Sequence, residues 1–206
     1  MDAAVQGRAT WAGPPQEGDG LLVVDLQNDF LPGGALGIAG GDATLPVARR
    51  LIAAFRARGL PVFLSRDWHP PDHCSFRERG GPWPAHCVAG SHGAEFSTAL
   101  DLPPEAEIVS KATQADREAY SALDGTGLMA RLQRHGVRRL WLCGLATDYC
   151  VRATALDARR AGLDVVVAED GVRAVDATPG DGTRALAEIQ GAGATLVTGN
   201  AVAAEP

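Results

Sequence analysis

The feature that most narrows the folds open to this chain is an alternation. Short, almost uninterrupted apolar runs rich in Leu, Val and Ile recur along its 206 residues, with segments carrying apolar residues at helical spacing between them. The runs cover residues 21–26, 61–65, 107–110, 139–143, 164–168 and 194–197, and the helical segments cover 44–58, 127–135, 149–161 and 183–190. A strand that is apolar on both faces has to be covered on both. The expected fold is therefore α/β, in three layers: a mainly parallel β-sheet with helices on both faces. Boundary residues agree, since Gly40-Gly41-Asp42 precedes the first helical segment, and Gly59, Gly136 and Gly162 close three of them just before strands begin.

A chain of this length with 46% hydrophobic residues buries enough surface for one domain, which we place at 20–206 after a loose tail at 1–19. The net charge of -6 and the lack of any long Lys/Arg run argue against a nucleic-acid or anionic-membrane partner. A small molecule is the expected ligand. The tail lacks the apolar core of a signal peptide, and no stretch approaches the length of a membrane span, so a cytoplasmic protein is expected. In that setting Cys74, Cys87, Cys143 and Cys150 read as reduced thiols, and Cys74 and Cys87 as packing residues. A homo-oligomer is left open.

Open α/β sheets bind their ligands beyond the carboxyl ends of the strands. Asp25 ends the first apolar run, Asp67 follows the second, Lys111 follows the third and Cys150 lies just past the fourth, at a turn from strand to helix. Four chemically capable side chains would thus meet on one rim. Backbone N–H groups at the helix start would favour the Cys150 thiolate and lower its pKa, which makes Cys150 a candidate nucleophile; the alternative is a small buried hydrophobe. A carboxylate such as Asp25 at the end of a buried strand needs a partner, and Lys111 could supply it, either in a reactive Cys, Lys and Asp group or as a plain ion pair.

Three of the five histidines fall between positions 69 and 86. In Asp67-Trp68-His69 the carboxylate and imidazole, two residues apart, project from one side of an extended segment, and His73 and His86 follow on a loop interrupted by proline. Asp67, His69, His73 and His86 have the composition of a metal site with mixed nitrogen and oxygen ligands, suited to zinc, iron(II) or manganese.

The ordered motifs D-L-Q-N-D-F, D-W-H-P-P-D-H, W-P-A-H-C-V, I-V-S-K and G-L-A-T-D-Y-C-V strongly resemble the nicotinamidase (pyrazinamidase) branch of the isochorismatase-like cysteine hydrolases, from about Leu21 to the C-terminus. The resemblance implies a metal-dependent amidohydrolase that converts nicotinamide, and pyrazinamide as well, through a thioester; for nicotinamide the products are nicotinate and ammonia. It implies a catalytic triad of Asp25, Lys111 and Cys150, an oxyanion hole from the amides of Ala146 and Cys150, and a cis peptide between Leu145 and Ala146. It further implies one divalent metal ion on Asp67, His69, His73 and His86, with zinc placed first and iron or manganese as alternatives. Phe30 and Trp83 would sandwich the pyridine ring, with Tyr120 nearby. Ala112 departs from the pattern, which has Gly after the lysine. Two other readings stay open: a metal-free type of cysteine hydrolase acting on N-carbamoyl or ureido compounds, and an inactive metal-binding scaffold.

Overall fold

The alternation folds into a six-stranded sheet in the computed structural model, which describes residues 13–199. The strands are β1 (Asp19–Val24), β2 (Val62–Asp67), β3 (Glu107–Lys111), β4 (Arg139–Leu145), β5 (Asp164–Arg173) and β6 (Thr195–Val197), in the order β3-β2-β1-β4-β5-β6. Every strand pair is parallel. Four α-helices connect and cover them: α1 (Leu45–Arg56), α2 (Leu128–Arg134), α3 (Arg152–Arg160) and α4 (Asp181–Gly191).

Successive strand residues feed two separate cores. Leu21 and Val23 of β1, with Trp141 and Cys143 of β4, pack on the face covered by α1. Leu22 and Val24, with Leu140 and Leu142, pack on the opposite face under α2, α3 and α4. This is why the strands read as unbroken apolar runs, each buried Leu or Val contributing about 1.5–3 kcal/mol. The two covers are unequal. α1 shares its face with the long irregular segment after β2, which contributes Cys87, Ala94 and Leu100 to that core.

Local signals set the helix ends. Pro46 sits in the first turn of α1, where its missing N–H costs nothing. Gly59 and Gly162 take the left-handed conformation (φ 67° and 88°), and the residues after them, Leu60 and Leu163, bond back to the carbonyls of Phe55 and Ala158. Part of the expected tail is built into the fold: Asp19 is already in β1, and the Gly18 carbonyl accepts from the amides of Arg138 (2.8 Å) and Arg139 (3.1 Å). The rest of that tail, residues 1–12, and the C-terminal residues 200–206 lie outside the described residues. Among the described residues no helix is long and apolar enough to cross a membrane.

Candidate active site

The strand order reverses between β1 and β4, and the candidate residues gather at the carboxyl ends on either side of that point. Asp25 follows β1, Asp67 and Lys111 are the last residues of β2 and β3, and Cys150 lies beyond β4 in a single π-helical turn, Thr147–Val151. Asp67 and Lys111 pair directly in the parallel ladder. The helical stretch expected at 149–161 thus opens as this π turn and becomes α-helical only at Arg152.

Asp25, Lys111 and Cys150 meet as the sequence suggested. The Lys111 ammonium lies 3.0 Å from Asp25 Oδ2 and 3.3 Å from Cys150 Sγ, and it donates to Asp67 Oδ1 as well. All four residues are buried. Asp25 Oδ1 accepts from the Ser65 hydroxyl at 2.7 Å, while Oδ2 has the Lys111 ammonium as its ion-pair partner.

These positions sort the charges. Burial and then the Lys111 charge act in opposite senses on Asp67, and the lysine, with His69, wins and holds it well below the usual carboxylate range. Lys111 is likewise opposed by burial, but Asp25 and Asp67 hold its pKa well up. On Asp25 burial outweighs the lysine and raises the pKa. Cys150 departs from the expectation from sequence: burial, greater than the pull of Lys111, pushes the thiol well up. Lys111 thus favours the charged form of Asp67, while burial opposes charge on Asp25 and on Cys150.

The metal-ligand composition resolves into a group of three. One ligating atom each from Asp67, His69 and His86 lies within 4.8 Å of the others, and all three residues are buried. His69 Nδ1 donates to the Ala112 carbonyl (3.1 Å), fixing the tautomer, and Nε2 is left as a buried nitrogen without a hydrogen-bond partner, 3.5 Å from Asp67 Oδ2. His86 Nδ1 is similarly held by the Pro84 carbonyl at 2.7 Å. Orphaned nitrogen facing carboxylate is what a bound cation would satisfy, so these residues fit a divalent ion. His73 stands apart. Its ring stacks on His69 at 4.2 Å, but its Nδ1 is 2.7 Å from Ser75 Oγ and its Nε2 is 3.1 Å from the Arg117 carbonyl. Burial shifts the pKa of His73 and His86 down, whereas Asp67 and the Ala112 carbonyl raise that of His69 against burial.

Three residues in the left-handed region frame the site: Asp25 (φ 46°), Cys87 (φ 46°) and Ala112 (φ 49°). Ala112 occupies the position where glycine was expected, and the conformation explains why; its carbonyl is the one that orients His69. The Leu145–Ala146 peptide is cis, and the Ala146 carbonyl accepts from the amides of Tyr149 and Val151. Of the ring-contacting candidates, Phe30 packs on His86 (5.5 Å) and Trp83 donates from Nε1 to the Tyr120 hydroxyl at 3.2 Å.

Sequence reasoning passed over Gln27, Ser65 and Tyr149. The Gln27 side chain accepts from the Asp67 amide (2.8 Å) and donates to the Asp67 carbonyl (2.7 Å) and the Ala94 carbonyl (2.9 Å), pinning the backbone of the metal-ligand candidate. Tyr149 meets Trp83 edge-on at 5.1 Å and Tyr120 at 5.5 Å, completing an aromatic wall beside Cys150. Nothing in the sequence around Gln27 signals this role, because its partners are 40 and 67 residues away.

Comparison with known proteins agrees with this geometry. The family model described as "Isochorismatase domain" matches residues 19–201. A nicotinamidase of Escherichia coli (strain K12) is 40% identical, the match covering 86% of this chain and 93% of that protein. Among solved structures, the pyrazinamidase of Pyrococcus horikoshii in complex with zinc is 49% identical with a TM-score of 0.84, covering 88% of this chain and 99% of the other. An L. infantum protein in complex with nicotinate is 37% identical with a TM-score of 0.84, covering 92% and 96%.

Proposed function

The chain belongs to the isochorismatase domain family, and from that premise we propose that it is a metal-dependent cysteine amidohydrolase converting nicotinamide to nicotinate and ammonia, with pyrazinamide as a second substrate. The observation that carries the proposal is the placement of one buried ammonium, Lys111, against Asp25, Cys150 and Asp67 at once, beside the group formed by Asp67, His69 and His86. That group counts against a metal-free hydrolase of N-carbamoyl or ureido compounds, and the complete triad against an inactive scaffold.

Asp25 accepts the Cys150 proton as the sulfur attacks the carboxamide carbon. The amides of Ala146 and Cys150 hold the developing oxyanion. As the C–N bond breaks, Asp25 returns the proton to the departing nitrogen, giving ammonia and a thioester on Cys150. Asp25 next deprotonates a water that adds to the thioester; the C–S bond breaks, nicotinate leaves and the thiol is restored. Throughout, Lys111 compensates whichever partner carries the negative charge.

Asp67, His69 and His86 would hold the ion, with His73 joining if its ring leaves the Arg117 carbonyl. When bound, the ion supplies a Lewis-acid position for the pyridine nitrogen; zinc leads, with iron and manganese behind it. Phe30, Trp83 and Tyr120 flank the ring, with Tyr149 closing the wall. The site accepts a small aromatic amide, in keeping with the acidic chain. A cytoplasmic setting suits the free cysteines.

The test compares nicotinamide with benzamide, which has the carboxamide but no ring nitrogen. Chelation should depress activity on nicotinamide far more than on benzamide, after circular dichroism has established that the fold survives. Equal proportional losses would assign the metal to structure or to the chemical step.

A further inference from the structure

Asp67 belongs to two groups of potential ligands. A carboxylate oxygen of Asp67 lies within 4.8 Å of a ring nitrogen of His69 and of His86, and one lies within the same limit of an Asp25 oxygen and of Cys150 Sγ. The two oxygens divide between them: Oδ2 faces His69 Nε2, and Oδ1 takes the Lys111 ammonium, which also contacts Asp25 and Cys150. A carboxylate shared in this way between two neighbouring cation positions is the arrangement of a two-metal site. One of the positions already contains a cation made by the chain itself.

We propose that Lys111 fills the second cation position of an Asp67-bridged pair, keeping a second divalent ion away from Cys150. Two carboxylates and a thiolate would otherwise make a strong site for zinc or cadmium, because sulfur is the preferred zinc ligand. An ion bound there would form a metal–sulfur bond, release the thiol proton to buffer and take the nucleophile out of the reaction. An ammonium in that place neutralises the same carboxylates and leaves the sulfur free to attack. The chain thereby carries a metal beside its nucleophile without the nucleophile being captured. The inference rests on the metal reading of Asp67, His69 and His86, but the two can fail separately: the wild-type metal content tests that reading, and the increment between wild type and variant tests this one.

The experiment uses the full chain. Wild type, Lys111→Met and Lys111→Gln are equilibrated with excess zinc or cadmium, freed of unbound metal and measured for metal per chain, with circular dichroism to verify folding. Each folded lysine variant should retain one more ion per chain than wild type. With cadmium it should also gain a sulfur-to-metal ultraviolet absorption, and a Cys150→Ser change in the same background should remove both. A folded lysine variant with no extra ion and no new absorption would overturn the proposal. Wild type supplies an arm that does not depend on the variants folding: it should show no cadmium–sulfur absorption that Cys150→Ser removes. Such an absorption in wild type would overturn the proposal equally.

Discussion

The two ends of β1 each bury an aspartate, and the two are paired in different ways. At the entry to the strand, Asp19 accepts from Arg139 Nε (2.7 Å) and Nη2 (2.8 Å), from Trp141 Nε1 (3.2 Å) and from the Gln16 amide (2.9 Å). At the exit, roughly 20 Å away for six residues, Asp25 has one oxygen bonded to Ser65 and the other beside a lysine that also serves Asp67 and Cys150. Asp19 is fully matched by a bidentate arginine and two further donors, so nothing is left over for chemistry. At the exit there is one fixed cation for two carboxylates and a thiol, and a carboxylate oxygen without a hydrogen bond. Burial with complete pairing suits a structural element; burial with incomplete pairing is the setting in which we propose that a proton moves.

The largest effect should come from the group that forms the covalent bond. Cys150→Ala should lower turnover by at least about four orders of magnitude while leaving the circular dichroism spectrum and the metal content unchanged. Residual turnover of a few per cent would move the nucleophile elsewhere and erase the contrast between the ends. Next come Asp25→Asn and Lys111→Ala, each expected to reduce kcat by about two to four orders. Their combination should fall well short of the sum of the two losses in free energy, because they act on the same proton; additive losses in a double-mutant cycle would make them independent. The smallest catalytic effect belongs to the matched end. Asp19→Asn should cost about 3 kcal/mol of stability by denaturant unfolding, yet change kcat by no more than about twofold. A large loss of kcat in a folded Asp19→Asn protein would show that the entry end is coupled to the chemistry.

The sheet was legible because its residues alternate between two covered faces, which leaves unbroken apolar runs that few other folds require. The rim was legible for a related reason: Asp25, Asp67, Lys111 and Cys150 are out of character at the ends of such runs. What the sequence withheld depends on distance and depth. Gln27 reads as one more polar residue until its bonds to Asp67, 40 residues away, are seen. His73 has the right neighbours in sequence, and only the folded loop shows its nitrogens facing Ser75 and Arg117. The helix start leads one to expect an acidified Cys150 thiol, but burial in the folded protein outweighs the Lys111 charge and raises its pKa. Ala112 was flagged as a departure, and its left-handed backbone gives the reason a glycine would serve there.

The claim that unites the account is that Cys150 carries the acyl group between the two halves of the reaction. Acid quenching of the enzyme at steady state with saturating nicotinamide, followed by digestion and mass spectrometry, measures this directly. A nicotinoyl group should be found on the Cys150 peptide, discharged when nicotinamide is exhausted and missing from the Cys150→Ala protein. Turnover with the acyl group on a different residue, or with Cys150 unmodified at every quench time, would contradict it.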